Sequence, residues 1–185
     1  MSITIRKVQL QDAARILEIY AWYVEHTAIS FEYDVPSLEE FTARIEKTLL
    51  RYPYLVIEEE GKILGYAYAG PFKTRAAYDW DCEMSIYIDR HEHGRGLGRK
   101  IYCSLEEELG RMGIQNLYAC IGFPEEEDEY LTRDSVRFHE RMGYVITGTY
   151  HKCGYKFGRW YDMVWMEKII GKHEEEPRRV AAWKA

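Results

Sequence analysis

Apolar and polar positions recur along this chain with two different periods. In seven stretches apolar and polar residues alternate, or β-branched and aromatic residues cluster, as is typical of strands. These stretches are residues 3–7, 54–57, 63–69, 83–89, 117–122, 144–150 and 161–168. In four other stretches the apolar residues recur every three or four positions, which predicts helices over 13–24, 38–49, 97–112 and 135–142.

Short polar signals mark where several of these elements begin and end. Ser37 and Glu40 form a capping box that predicts the start of the second helix. Residues 60–62 are a turn that joins two strands into a β-hairpin. Gly143 suits the left-handed position that ends the last helix.

The length of the chain, 185 residues, indicates one folded domain. We expect that domain to cover residues 1–170. After Gly171 the sequence is charged and has no hydrophobic period. Residues 171–185 are therefore predicted to be a charged C-terminal tail that is either disordered or docked on a partner.

Composition narrows the classes of partner and compartment. The chain has 25 basic and 31 acidic residues, and this net charge of −6 argues against a protein that depends on nucleic-acid phosphates. The four cysteines form no CxxC pair and the N-terminus carries no apolar signal region, which indicates reduced thiols in the cytoplasm. No apolar stretch approaches the ~18 residues of a membrane span. We therefore expect a cytoplasmic protein that binds neither nucleic acid nor membrane.

A glycine cluster lies where the strand at 83–89 leads into the helix at 97–112. Gly94, Gly96 and Gly98 occupy alternate positions, so several backbone amides can turn toward one point at a helix N-terminus, as in phosphate sites. The dinucleotide fingerprint fails because Arg99 stands at its last glycine, and the P-loop fails because no Gly-Lys-Ser/Thr ending follows. Taken alone, the cluster is either a phosphate-binding loop or a structural turn.

In context, His93-x-x-Gly96-x-Gly98 resembles the Q/R-x-x-G-x-G/A loop of the GCN5-related N-acetyltransferases (GNAT), although His93 replaces the usual Gln or Arg. The resemblance is closer to the phosphinothricin N-acetyltransferase branch and extends over residues 3–169. The segments that carry it are RYPYLV at 51–56, GYAYAGPFKTRAAYDW at 65–80, SIYI at 85–88 and SVRFHERMGY at 135–144.

This resemblance implies an α/β fold with a mixed, mostly antiparallel central sheet of six or seven strands flanked by helices. It implies acetyl-CoA as cosubstrate, no metal, and a homodimer. The residues it assigns to acetyl-CoA are Tyr87, Ile88, His93, Gly94, Arg95, Gly96, Leu97, Gly98 and Arg99. A backbone amide near Tyr87 or Ile88 would stabilise the oxyanion.

Two residues match the family's proton-transfer positions. Glu83 falls on the polar face of its strand, roughly 17 Å before the loop at ~3.3 Å per residue, a length comparable to an extended pantetheine arm. The resemblance makes it the catalytic base, acting directly or through water. His139 stands where this branch carries a histidine, and with a near-neutral pKa it would donate or accept a proton, or orient the amine.

The acceptor is expected to be the amine of a small amino-acid-like compound such as phosphinothricin or methionine sulfoximine. Lys73, Arg75 and Tyr78 would hold its anionic group, and Phe31 would pack on its aliphatic part.

Alternatives to this acceptor are a polyamine, a protein N-terminus, or no turnover at all in an acetyl-CoA-binding sensor. The acidic segment 125–134 resembles an insertion relative to the family, and its carboxylates could attract a cationic acceptor or simply be solvated.

Overall fold

A computed structural model describes residues 2–184. Within this range seven strands and four α-helices follow one another, and two short 3₁₀ turns lie at Leu10–Asp12 and Ala76–Tyr78. The strands are β1 (Ile3–Lys7), β2 (Tyr54–Glu59), β3 (Lys62–Pro71), β4 (Asp81–Ile88), β5 (Asn116–Phe123), β6 (Val145–Lys156) and β7 (Arg159–Ile169). The helices are α1 (Ala13–His26), α2 (Leu38–Leu49), α3 (Leu97–Met112) and α4 (Asp134–Arg141).

The strands form one sheet in the order β1-β2-β3-β4-β5-β7-β6. Antiparallel pairing joins β1 to β2, β2 to β3, β3 to β4, and β6 to β7. The predicted fold class, a mixed and mostly antiparallel sheet flanked by helices, is confirmed with seven strands.

The chain divides into two compact units. The first contains residues 1–19, 36–117 and 169–185, and the second contains 20–35 and 118–168. In the first unit α3 packs on β2, β3 and β4. The predicted apolar stripe of α3 supplies this contact, and its four residues are at most 1% exposed: Leu97, Ile101, Leu105 and Leu109. Burial of each such side chain stabilises the fold by about 1.5–3 kcal/mol.

The start of α2 agrees with the sequence signal. Ser37 Oγ accepts a hydrogen bond from the amide of Glu40 at 3.1 Å, which satisfies one of the amides that a helix start leaves unpaired. The Glu40 carboxylate binds Arg44, one turn further along.

The β6–β7 hairpin of the second unit is longer than the sequence predicts, since residues 151–160 also belong to it. Its register shifts between Ile146 and Gly148 and between Tyr150 and Gly154, and these irregularities hide the alternation. Phe157 and Gly158, at φ 51° and 74°, form the tight turn.

The C-terminal tail contacts its own unit over the part that the structure describes, residues 172–184, and its expected disorder or docking on a partner stays a prediction. Between residues 172 and 184 it forms no helix or strand, yet it makes hydrogen bonds with the rest of the first unit, such as that from the Ala181 amide to the Met112 carbonyl at 3.0 Å. These backbone and side-chain contacts follow no hydrophobic period, so the sequence pattern does not predict them.

Among residues 2–184, no helix combines the length and the apolar character needed to cross a bilayer. In the same part of the chain, no three His, Cys, Asp or Glu side chains gather in a way that could hold a metal ion.

Candidate active site

The glycine loop has the geometry of an anion cradle. Gly94 and Gly96 have φ angles of 77° and 72°, and Gly96 is the residue that caps the start of α3. A Cβ atom at either glycine would meet no other atom within 4 Å, so open space lies over the loop. The first amides of a helix have no intrahelical partner, and a helix N-terminus next to open space fits the diphosphate of acetyl-CoA.

Two side chains of the loop, those of Arg95 and His93, have partners in the first unit. The Arg95 guanidinium binds the Glu59 carboxylate at 2.9 Å and also binds Glu92. Hydrogen bonds with Glu92 and Glu59 raise the pKa of Arg95. His93 Nε2 lies 3.3 Å from the carbonyl oxygen of Ile88. The Arg95 charge is thus shared with two carboxylates, which weakens the attraction of this side chain for an incoming anion.

Glu83 is the third residue of β4 and lies opposite Gly70 of β3. Its carboxyl group is partly buried, and this burial raises its pKa, while the positive charge of Lys73 acts in the opposite direction. A carboxylate with a raised pKa is a better proton acceptor than an exposed one. The polar face that the alternation assigns to Glu83 therefore has the electrostatics of a base.

A row of stacked tyrosines shares that face, and sequence reasoning missed it. Tyr68 pairs with Ser85 and Tyr66 with Tyr87 in the β3–β4 register. The rings of Tyr54, Tyr66 and Tyr68 stack with centroids 4.9–6.3 Å apart, and Tyr87 stacks on Tyr66 at 5.3 Å. Tyr66 and Tyr68 are two positions apart in β3, so their spacing already indicates that both rings lie on one face of the sheet.

The structure brings the three predicted acceptor residues of the first unit together. Lys73, Arg75 and Tyr78 line one cavity of about 430 Å³ with Pro71, Phe72 and Thr74. Lys73 Nζ lies 4.6 Å from the centre of the Phe72 ring, and Phe72 meets Tyr78 edge to face. This cavity combines positive charge with aromatic surface, as an anionic amino acid requires.

His139 lies in α4 of the second unit and is 3% exposed. Its Nδ1 is 2.7 Å from the Ser135 carbonyl, so Nδ1 carries the hydrogen and Nε2 presents a lone pair. Burial lowers the pKa of His139 to about 4, and the bond to Ser135 opposes this only in part. The expectation of a near-neutral pKa is therefore wrong, because the ring is desolvated and neutral at pH 7.

Phe31 also belongs to the second unit, where it packs on the apolar cluster of Ala28, Leu131 and Tyr161. A Cβ at Gly154 would approach its ring to 2.3 Å, so only glycine allows this contact. Lys156 binds the segment that precedes Phe31 in the chain. Its buried ammonium donates to three backbone carbonyls at 2.7–2.9 Å, those of Val24, Thr27 and Ser30.

The acidic segment 125–134 is tied to basic side chains of its own unit. Arg159 binds Asp128 and Glu129, both at 2.9 Å, and Arg137 binds Glu127 at 2.9 Å. The Asp128 carboxylate also accepts the Tyr161 hydroxyl at 2.9 Å. Much of the segment's negative charge is therefore compensated locally, which reduces the attraction that it offers to a cationic acceptor.

The site residues thus fall into two groups. The glycine loop, Glu83 and the acceptor cavity belong to the first unit, while His139 and Phe31 belong to the second.

Comparisons with known proteins identify the family of this chain. The family model of the acetyltransferase (GNAT) domain matches residues 5–165. The phosphinothricin N-acetyltransferase of Streptomyces viridochromogenes is 35% identical over 161 residues, which are 87% of this chain and 84% of that protein. The L-methionine sulfoximine/L-methionine sulfone acetyltransferase of Salmonella typhimurium is 34% identical, over 92% of this chain and 96% of its own length.

A solved structure shares the fold over nearly the whole chain. A phosphinothricin acetyltransferase of the GNAT superfamily from Sinorhizobium meliloti, in complex with acetyl-CoA, superposes with a TM-score of 0.88 and 30% identity, covering 96% of this chain and 94% of its own. The fold, the loop and these relatives agree, and the chain therefore belongs to the GNAT acetyltransferases, in the branch of the phosphinothricin N-acetyltransferases.

Proposed function

We propose that the protein binds acetyl-CoA through the amides of residues 94–99 and acetylates the α-amine of a small anionic amino acid analogue, such as phosphinothricin or methionine sulfoximine. The observation that carries the acceptor is the cavity lined by Lys73, Arg75 and Tyr78. The relatives named above act on compounds of that class.

Acetyl-CoA supplies the activated acetyl thioester. On this proposal the amides of Gly94, Gly96 and Leu97 bind its diphosphate, His93, Arg95, Gly98 and Arg99 complete the loop around it, and backbone near Tyr87 and Ile88 receives the acetyl end. The positive φ of Gly94 and Gly96 supports this placement, since it turns successive amides toward one side.

Glu83 acts as the base in this proposal. The ammonium of a bound amino acid must lose a proton before its nitrogen can attack, and a carboxylate whose pKa is raised by burial is suited to accept it, directly or through one water. Arg75 offers a planar fork to the acceptor's carboxylate or phosphinate, with Lys73 and Tyr78 in support. Phe31 contacts its aliphatic part.

His139 takes part as a neutral imidazole. Because Nδ1 donates to Ser135, Nε2 can accept a hydrogen bond but has no hydrogen to give. We therefore assign it to orienting the amine or accepting its proton, and not to protonating the thiolate. We expect His139→Phe to lower kcat or to raise the acceptor KM, and unchanged values of both would contradict this role.

The proposal is tested by following thiol release from acetyl-CoA with purified protein and a panel of amines. We expect phosphinothricin and methionine sulfoximine to react, and spermidine to be a poor acceptor because the two cations of the cavity repel it. Faster turnover of spermidine or of a peptide N-terminus would overturn the acceptor assignment. Acetyl-CoA binding without turnover of any amine would indicate a sensor instead.

We also propose that the protein is a cytoplasmic homodimer that needs no metal and binds neither nucleic acid nor membrane. The support for a dimer is the β6–β7 hairpin at the sheet edge, where five large apolar side chains are exposed. They are Val145, Ile146, Tyr150, Tyr155 and Trp160. None of the four cysteines, all within the described chain, forms a disulfide, as suits a reducing compartment.

Light scattering after size exclusion tests the dimer. We expect Trp160→Glu to convert it to monomer, since a charge at the centre of an apolar interface is costly. Leu50→Glu is the matched control, because Leu50 is 80% exposed and lies outside the hairpin. A monomeric wild-type protein would contradict the proposal.

A further inference from the structure

Three consecutive residues between the acceptor cavity and Glu83 are linked to the C-terminal tail, residues 172–184: one by a direct hydrogen bond and two through one intermediate residue each. These are Asp79, Trp80 and Asp81, which follow the cavity residue Tyr78 and lead into β4. All of the groups concerned belong to the first unit.

The first contact holds Trp80. Its indole Nε1–H donates to the backbone carbonyl of Arg178 at 2.8 Å. The carbonyl of Trp80 in turn accepts the amides of Gln115 and Asn116 at 2.8 and 3.2 Å. Arg178 is fixed as well, because its guanidinium donates to the Arg111 carbonyl at 3.0 Å. Trp80 is therefore held at both its side chain and its backbone.

The second contact reaches Asp81 through one intermediate. His173 Nε2 is 2.9 Å from Asn116 Oδ1, and Asn116 Nδ2 donates to Asp81 Oδ1 at 2.6 Å. Asp81 is the first residue of β4 and precedes Glu83 by two positions, on the same face of the strand.

The third contact reaches Asp79. The amide of Trp183 donates to the Arg51 carbonyl at 2.9 Å, and the Arg51 guanidinium binds Asp79 at 3.1 Å. Trp183 is itself anchored, since its Nε1–H donates to Glu108 at 2.9 Å and Lys7 lies 5.0 Å over its ring.

Residues 72–80 connect β3 to β4 and contain little regular structure. Their regular structure is one 3₁₀ turn, in which the amides of Tyr78 and Asp79 donate to the carbonyls of Arg75 and Ala76. Both Lys73 and Arg75 are exposed. A loop of this kind must lose conformational freedom when it closes on a ligand, unless other contacts have already restricted it.

We propose that the C-terminal tail is a positioning element that pre-orders the acceptor loop, residues 72–80, relative to Glu83 and thereby sets the KM of the acceptor. The inference rests on the proposed function, which assigns that loop to acceptor binding. Trp80, His173 and Trp183 are its positioning residues, and none of them need touch the reacting atoms.

Two variants of the 185-residue chain test it. Trp80→Phe keeps an aromatic ring but removes the Nε1–H donor. The double variant His173→Ala/Trp183→Ala removes the bond to Asn116 and the side-chain contacts with Glu108 and Lys7 that anchor Trp183. Glu175→Ala is the control, because Glu175 is an exposed residue of the same tail. We expect each test variant to raise the acceptor KM about 10-fold, with acetyl-CoA affinity within about twofold of wild type.

Hydrogen exchange supplies a readout that does not depend on the acceptor. The amides of Tyr78 and Asp79 should exchange faster in both test variants, while the amide of Phe41, bonded to Ser37 in α2, should keep its wild-type rate. Unchanged exchange at Tyr78 and Asp79, or an acceptor KM like that of Glu175→Ala, would overturn the proposal. If the wild-type protein acetylates no anionic amino acid, the proposed function fails, and exchange still decides whether the tail orders the loop.

Discussion

Burial and one nearby cation set the acid–base behaviour of Glu83. Burial favours the neutral carboxyl and raises its pKa, whereas Lys73 favours the carboxylate. The alternation along β4 places Glu83 on the polar face. Neither its burial nor the electrostatic influence of Lys73 is visible in a sequence, since both depend on how β3, the following loop and β4 fold together.

We expect Glu83→Gln to lower kcat by about 10² because an amide cannot accept the proton. The affinity for acetyl-CoA, measured by calorimetry, should stay near the wild-type value. Glu39→Gln, at an exposed position in the first turn of α2, serves as the control. Nearly normal turnover at pH 7 would place the base elsewhere.

The effect of Lys73 gives a pH prediction with a definite sign. The carboxylate is the active form of Glu83, so kcat falls as pH drops through its pKa. Lys73→Gln removes the charge that lowers this pKa, and the acidic limb of the kcat profile should therefore move to higher pH. Lys47→Gln, on the surface of α2, should leave the limb in place. A shift to lower pH would contradict the electrostatic influence of Lys73 on Glu83.

Arg75 is expected to decide between acceptors. Loss of a charge-assisted hydrogen bond costs about 1.5–3 kcal/mol, so Arg75→Ala should lower kcat/KM for an anionic acceptor by roughly 10- to 150-fold. Arg75→Lys should recover only part, because an ammonium lacks the planar fork. Arg44→Ala, which removes a surface ion pair of α2, is the control. Unchanged kinetics in Arg75→Ala would exclude this arginine from the acceptor site.

At the scale of elements, the strand–loop–helix unit of β4, residues 89–96 and α3 is what a sequence predicts best. The stripe of α3 and the alternation of β4 each follow a single period, and the glycines mark where the period changes. The β6–β7 hairpin and the C-terminal tail could not be predicted in the same way. Irregularities in register interrupt the alternation of the hairpin. The contacts of the tail, such as that between Trp80 and Arg178, follow no hydrophobic period.

Substitution at Gly96 tests the loop as an element. Gly96→Asp would place a carboxylate in the open space over the amides, and we expect acetyl-CoA affinity to fall at least about 10-fold through like-charge repulsion. Gly61→Asp is the matched control, because Gly61 has a similar φ of 80° and equally open surroundings but lies in the β2–β3 turn. Calorimetry should show wild-type affinity for the control, and equal losses in both variants would contradict the loop assignment.

At the scale of the whole molecule, both units contain aspartates that stabilise the fold only when they are ionised. Burial alone would raise the pKa of Asp12, but hydrogen bonds from Arg6 and the Gln9 amide lower it overall. Burial opposes ionisation of Asp128 too, and bonds from Arg159, Tyr161 and two amides outweigh it. These interactions depend on tertiary structure, so composition and net charge do not predict them.

Acid should therefore destabilise the protein. A group whose pKa is lower in the folded state stabilises the fold above its unfolded pKa, about 3.9 for Asp, and that stability is lost as pH falls through the folded value. Urea unfolding should show a midpoint that declines below about pH 5. Asp12→Asn should lessen the decline, whereas Asn at the exposed Asp34 should leave it unchanged. A midpoint independent of pH down to 3 would contradict this account.

The hydrogen bonds of the buried Lys156 ammonium can form only late in synthesis, after residue 156 has been translated. Its three carbonyl partners precede it by 126–132 residues, so the second unit joins an early segment of the chain to a late one. Contacts between such distant positions slow folding. The segment that carries Phe31 leaves the ribosome early but has no lysine to bind until residue 156 has been translated. On a ribosome that adds about 5–20 residues per second, that interval lasts roughly 6–25 s, during which a chaperone could bind the segment.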